Sequence, residues 1–255
     1  MLKKRIVVTL CHDGKGNCVK PVAFSTNRRR VGDLMSKIKI LAKRNIDELC
    51  LLDIYASEER REQNLDLIEE VCSELTCPVS IGGNISNRRQ VRELMNHGAD
   101  KIILRTHANR SVIENIAHFI GSQSTVVAFD VVKPYVSLGK TNQNILKMSM
   151  INAHLAGVGE MLVTSVMHDG KMKGMDLHLA DMLAGCPYVT VLNGGAERPE
   201  DMLEAFDRGI DAVGASSMFL FTDITPRDCA EFLHANGVPV RNDPPFEWKF
   251  KGVKS

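Results

Sequence analysis

No apolar run in this 255-residue chain approaches the roughly 18 residues needed to cross a bilayer, and its start shows no signal-peptide pattern. A cytoplasmic setting with no membrane partner is therefore the expectation. An excess of either charge is also missing: 32 Lys and Arg stand against 31 Asp and Glu, for a formal net charge of +1. That balance gives no general attraction to nucleic acid or to an anionic surface, so nucleic acid is not expected as a partner. Seven cysteines (11, 18, 50, 72, 77, 186 and 229) are odd in number and contain no CxxC pair, which argues against a disulfide framework or a zinc knuckle. They read mostly as buried apolar fillers. The eight histidines are scattered without an HxxxH-type set, so no metal and no cofactor is expected. Nor does a GxGxxG follow the first strand pattern, which weakens the case for an open dinucleotide-binding sheet.

What is present is alternation. Short β-branched runs at 5–11, 49–54, 78–82, 101–105, 125–130, 161–165, 189–193 and 211–215 are separated by helical patterns, including 60–76, 88–97, 110–120, 145–156, 199–208 and 226–236. Strand–helix alternation of this kind predicts an α/β fold with a parallel sheet. Eight strands at this length close most simply into a (β/α)8 TIM barrel, occupying 1–241 as one domain. The remainder, 242–255, is a C-terminal tail with Pro244-Pro245, the only tryptophan (Trp248), and Lys249, Lys251 and Lys254.

The barrel reads as two duplicated half-barrels. Glu48-Leu-Cys-Leu-Leu-Asp-Ile matches Glu160-Met-Leu-Val-Thr-Ser-Val, and Gly82-Gly83 matches Gly194-Gly195, both at an offset of 112. His97-Gly98-Ala-Asp100 matches Arg208-Gly209-Ile-Asp211 at 111, and the first strand, ending at Cys11, matches the fifth, ending at Asp130, at 119. One half therefore ends its leading strand in a carboxylate and the other in a thiol.

Functional groups in such barrels sit at the C-terminal strand ends. Gly82-Gly83 with Arg105-Thr106, and Gly194-Gly195 with Ser216-Ser217, are suited to anions. Glycine lets backbone N–H groups approach phosphate oxygens, and hydroxyls complete a cradle. Two related cradles suggest a substrate with a phosphate at each end; the plainer reading is tight βα turns. Asp130, ending an apolar strand, could shuttle protons, or could simply hold a loop. Asp169-Gly170 could orient hydroxyls or brace a phosphate loop, or form an ordinary turn, and His168 reads as a solvated loop histidine. Lys20 is a possible phosphate contact, although an exposed surface lysine is the more frequent outcome. At the opposite end, Arg5, Glu48, Lys101 and Glu160 all start strands and can converge on the axis as a ring of alternating charge, a feature that can do no more than seal the floor.

With these pieces assembled, the chain resembles the cyclase subunit of imidazole glycerol phosphate synthase, the HisF family, across about 1–241. The resemblance rests on Met1-Leu-Lys-Lys-Arg-Ile, Leu52-Asp-Ile, Ile81-Gly-Gly-Asn-Ile, Gly98-Ala-Asp-Lys, Gly121-Ser-Gln, Asp130, His168-Asp-Gly, Asn193-Gly-Gly-Ala and Ala215-Ser-Ser. It implies a glutamine amidotransferase partner on the floor, with Arg5, Glu48, Lys101 and Glu160 as an ammonia gate and Asp100 and Gln123 near that partner. It implies phosphate contacts at Gly82, Thr106, Gly170, Gly194, Ser216 and Ser217, and Asp130 as one of two catalytic aspartates. The expected activity is conversion of a bis-phosphorylated ribulosyl nucleotide, by lyase and cyclase chemistry, to imidazole glycerol phosphate and an aminoimidazole carboxamide ribotide, as in histidine biosynthesis. Four departures stand against it: Cys11 at the first aspartate, Arg105 for a usual asparagine, Met167 for a usual aspartate, and a shorter loop from Lys133 to Asn144. They resemble a HisF-like branch associated with sugar amidation in surface-polysaccharide pathways, which implies ammonia relay to a sugar amidotransferase with little or no cyclase activity. A non-catalytic activator of the glutaminase is a third possibility. Cys11 favours relay; the breadth of the resemblance favours the synthase.

Overall fold

The computed structural model describes residues 4–24, 27–44, 46–105, 107–132 and 140–241. Eight parallel strands form the barrel: β1 (Arg5–His12), β4 (Glu48–Asp53), β5 (Val79–Gly82), β6 (Lys101–Leu104), β7 (Thr125–Val131), β8 (Glu160–Ser165), β9 (Val189–Asn193) and β10 (Ala212–Ala215). Each pairs with the next, and β10 pairs with β1 to close the ring. Two further strands, β2 (Asn17–Lys20) and β3 (Arg29–Asp33), form an antiparallel hairpin that extends from the end of β1 over the mouth.

Helices α1 (Leu34–Ala42), α2 (Leu65–Glu74), α3 (Arg88–Asn96), α4 (Arg110–Ile120), α5 (Lys140–Leu155), α6 (Leu177–Leu183), α7 (Pro199–Asp207), α8 (Ser217–Phe221) and α9 (Pro226–Ala235) surround the strands. Their starts follow from short polar side chains that satisfy the first free N–H groups. Asp33, Asn64, Asn87, Asn109, Asp176 and Thr225 each accept a backbone N–H from the third residue on. That chemistry explains one difference from the sequence pattern: α2 begins at Leu65 rather than near 60, because Asn64 is the cap. No helix among the described residues is long and apolar enough to cross a membrane.

Strand register bears out the duplication. Val7 stands beside Glu48 on the neighbouring strand, and Val126 stands beside Glu160. Four residues further along, Cys11 stands beside Leu52 and Asp130 beside Thr164. Cys11 and Asp130 are thus structurally equivalent positions. A capping device repeats as well: Asp100 accepts the Val79 N–H at 2.8 Å, and Asp211 accepts the Thr190 N–H at 3.0 Å.

Alternate strand residues point inward. Outward residues such as Ile6, Val8, Leu10, Leu49, Leu51, Ile81 and Ile102 pack under the helices in the main core. Inward residues form a separate apolar layer of Val7, Cys50, Ile103, Val126, Leu162, Val191 and Ala212, with Leu52 and Ala128 against it. This inner layer divides a charged floor from a polar mouth.

Candidate functional site

The four charged strand starts meet at the floor. Arg5 reaches Glu48 and, at 2.8 Å, Glu160. Lys101 Nζ lies 2.9 and 3.0 Å from the two Glu48 oxygens and 3.0 Å from Glu160. Ser80 Oγ adds a 2.9 Å hydrogen bond to Glu48. Burial alone would lower the Arg5 pKa, but the two glutamates outweigh it and hold it above its ordinary value. Two cations and two anions make the ring neutral. Each member is sheltered, so deleting one would leave a partner charge uncompensated. Asp100 and the 3-10 turn residue Gln123 are both exposed on this same N-terminal side.

Above the apolar layer, Thr9 Oγ1 donates to Asn193 Oδ1 at 3.2 Å, and Asn193 Nδ2 donates to Thr164 Oγ1, also at 3.2 Å. Sequence reasoning missed this buried polar link. Its signal was available: a hydroxyl or amide at an inward position of an otherwise apolar strand.

The mouth holds a cavity of about 280 Å³ bordered by Cys11, Asp130, Arg105, Lys20, Asp169 and the Gly82-Gly83 turn. Cys11 is buried, and its thiol is pushed up to about 12. Burial is the main cause, with Asp169 and Cys18 adding to it and Lys20 and Arg28 opposing. At neutral pH it is an uncharged thiol. The Asp130 carboxyl is also raised above its ordinary range, chiefly by burial, against the opposing pull of Arg105. Arg105 Nε donates to Asp130 Oδ2. In this structure, then, Arg105 faces the carboxylate rather than standing free for a phosphate.

Lys20 is not the exposed surface lysine that frequency favours. Its Nζ makes a 2.8 Å ion pair with Asp169, with the two side chains only 5% and 7% exposed. The Ala23 N–H donates to the Asp169 carbonyl, so the hairpin loop and the loop after β8 are braced together. Asp169 consequently has a cation of its own. His168 is also not a solvated loop histidine: Nδ1 lies 2.9 Å from Ser165 Oγ and 3.3 Å from the buried carboxylate of Asp176. Its half-buried ring locks this turn to the start of α6.

Gly83 and Gly195, the duplicated second glycines, have φ of +128° and +101°. A β-carbon at Gly83 would lie 2.6 Å from the Asp53 carbonyl oxygen, so close approach alone requires glycine there. Gly82 ends β5, Gly194 follows β9, and Gly170 packs against Pro21. Ser216 and Ser217 open α8 at the same end of the barrel, buried, and their hydroxyls have no hydrogen-bond partner among the described residues. Two unsatisfied hydroxyls at a backbone turn suit an oxyanion. They do not border the main cavity. Thr106 lies outside the described residues, as do 133–139 of the loop after β7 and the tail from 242; α5 already begins at Lys140, five residues before the sequence pattern.

Further polar braces were not anticipated. The fully buried Asp53 carboxylate takes two Arg61 hydrogen bonds at 2.6 and 2.8 Å, and Arg28 pairs with Glu58 while its guanidinium lies 4.3 Å over the Tyr55 ring.

These features define a closed (β/α)8 barrel with a neutral ring of charge at one end and a polar, acid-bearing cavity at the other. A sequence profile described as histidine biosynthesis protein matches residues 10–225. The imidazole glycerol phosphate synthase subunit HisF of Pyrococcus furiosus is 37% identical over 254 residues, covering 95% of this chain and all of the relative. The subunits of the same name from Dictyoglomus thermophilum (38% over 254 residues, 95% of this chain and all of the relative) and a Thermotoga species (37% over 252 residues, 94% and 98%) agree. The chain belongs to the HisF family.

Proposed function

We propose that this chain is the barrel subunit of a glutamine-dependent complex, taking ammonia from a glutamine amidotransferase on its floor and delivering it to an acceptor in its mouth, with its own cyclase activity weak or lost. Arg5, Glu48, Lys101 and Glu160 form the gate on this reading, and exposed Asp100 and Gln123 face the partner. The apolar layer above the ring suits neutral ammonia and disfavours ammonium, whose desolvation there would go uncompensated. A sugar amidotransferase docked over the mouth would present the acceptor there, since something must activate the acceptor carbon.

The observation that carries this reading is Cys11. Acid–base work on a substrate at neutral pH is best served by groups that titrate near that pH. The thiol at the position equivalent to Asp130 is held near 12, and Asp169, which also borders the mouth, is committed to Lys20. One carboxylate remains where the family resemblance implies two.

The synthase reading itself keeps specific support. Identity of 37–38% extends over the whole length of HisF relatives, and the unpartnered Ser216 and Ser217 hydroxyls suit one end of a bis-phosphorylated ligand. The decisive experiment gives the purified chain ammonium and the ribulosyl nucleotide and follows product. Delivery without cyclisation predicts no turnover, recovered in part by Cys11→Asp. Turnover at ordinary enzymatic rates in the unaltered protein would return it to the synthase reaction. Stimulated glutamine hydrolysis with no ammonia reaching any acceptor would make it an activator only.

A further inference from the structure

Among the described residues three cations border the mouth cavity, and they are not equivalent. Lys20 is locked to Asp169 in a buried pair. Arg28 is only 13% exposed, engages both Glu58 oxygens and is stacked on Tyr55. Arg105 is far more open. Its side chain is 56% exposed, and its guanidinium carbon is 5.9 Å from the Phe24 ring centroid. Among the described residues its side chain donates to Asp130 alone, through Nε. A pair so open to water is weak, and the remaining guanidinium N–H groups are left for another acceptor.

The other member of the pair is placed differently. Asp130 is largely buried, and the charged groups that act on it are Arg105 from the end of β6 and Asp169 from the loop after β8, the latter already neutralised by Lys20. Among the described residues Arg105 is thus the one cation that holds Asp130 in check, and it does so from the solvent side. A planar guanidinium fork also matches carboxylate and phosphate oxygens in a bidentate way that a single Nε contact does not use.

We propose that Arg105 is a specificity-determining residue that exchanges counter-ions: an oxyanion on the incoming acceptor, carboxylate or phosphate, draws its guanidinium from Asp130. Arrival of the anion then leaves Asp130 a stronger base, ready to take a proton from the same ligand. Until then Asp130 is neutralised by its neighbour. The inference rests on the reading of the mouth as the acceptor site, and it selects anionic acceptors over neutral ones.

A thermodynamic cycle tests it without ammonia, glutamine or a partner. Binding of inorganic phosphate and, separately, acetate is measured calorimetrically for the intact chain, Asp130→Asn, Arg105→Gln and the double variant. Exchange predicts that Asp130→Asn tightens anion binding about fivefold, the size of a partly exposed ion pair, because the competing carboxylate is gone. In the Arg105→Gln background the same change should alter affinity less than twofold. Carbon-13 NMR of labelled aspartates gives a second readout: phosphate should raise the Asp130 midpoint in the intact chain and leave it unmoved in Arg105→Gln. Arg105→Lys, which keeps charge without the fork, should recover part of the binding. Tighter phosphate than acetate would point to a phosphorylated acceptor, and the reverse to a carboxylated one. Equal gains from Asp130→Asn with and without Arg105 would mean a general field effect and overturn the proposal. So would phosphate that binds indifferently to both residues, as it would if held by the Ser216-Ser217 turn. Either failure leaves ammonia delivery standing, whereas cyclase turnover by the unaltered chain would remove only the claim of lost cyclase activity and leave this cycle intact.

Discussion

Replacing Cys11 with aspartate places a carboxylate where the structure disfavours negative charge. The thiol there moves from 9.0 to about 12, so the position resists an anion by about 4 kcal/mol at roughly 1.4 kcal/mol per unit. That penalty already includes the favourable fields of Lys20 and Arg28. A carboxyl with an ordinary value of about 3.9, meeting a similar penalty, would titrate near 7 in the folded protein. Its folded value then lies above its unfolded one. Between those two values the native state holds a proton that the unfolded chain has released, so stability falls as pH rises from about 4 to about 7 and is level beyond. Relative to the unaltered protein, the variant should be weaker by about 1.5 kcal/mol at pH 5 and by about 4 kcal/mol at pH 7.5. Urea unfolding of both proteins across that range measures the difference, since titrations common to both cancel. A gap that does not widen with pH would refute the reasoning. It would mean that the position is wetter than the structure has it, or that Lys20 leaves Asp169 for the new acid, and the case against Cys11 in acid–base work would fail with it. The same number explains why this substitution could restore chemistry: a carboxyl near 7 is tuned for proton transfer at neutral pH.

Lys101→Met should cost about 3 kcal/mol, because Glu48 and Glu160 lose a cation while sheltered from water, and it should let glutamine be hydrolysed without matching product; unfolding and a paired glutamate–product assay check both, and intact coupling would remove the gate assignment. Lys20→Met should likewise cost about 3 kcal/mol by stranding Asp169, seen as a lowered unfolding midpoint, whereas an exposed lysine would give almost nothing. Asp130→Asn should abolish any cyclase turnover and leave glutaminase affinity unchanged, since the residue lies at the opposite end of its strand from the floor; loss of partner binding would make it structural. Gly83→Ala should cost about 2 kcal/mol from its φ and its approach to the Asp53 carbonyl, measured by unfolding.

The barrel was legible because parallel strands covered on both faces write themselves as β-branched runs, as in Val189–Asn193, and because the half-repeat fixes which runs correspond. Strand bounds differ from the pattern by a residue or so. The hairpin was not legible. Arg29 and Arg30 are exposed, and β3 shows no alternation, so nothing in Arg29–Asp33 signals a strand before its partner β2 is known. The short helices α6 and α8 were not singled out, for the related reason that seven or five residues carry too few turns for a period to show. Side-chain partnerships were the least accessible. Lys20 meets Asp169 across 149 residues of chain, and a lysine beside a proline and a valine reads as surface until that carboxylate is found. Arg105 was legible as positive charge near an anion site; that it would turn to Asp130 depends on the end of the neighbouring strand.

The two ends of this barrel differ in how freely they can change. At the floor, Glu48 and Glu160, equivalent by duplication, share Arg5 and Lys101 in one neutral cluster. A single neutral replacement there strands a sheltered charge, so the ring tolerates alteration only by pairs. At the mouth the arithmetic reverses. A carboxylate at the position of Cys11 would carry its own desolvation penalty, and exchanging it for a thiol removes that penalty while leaving Lys20 and Asp169 to satisfy each other. On the proposed reading, a thiol in place of an acid at this position costs the fold nothing and costs the chemistry a proton acceptor. The floor can persist under the demands of its own electrostatics while the mouth is free to diverge, and Arg105, the counter-ion of Asp130, stands where a ligand in the mouth would feel that divergence.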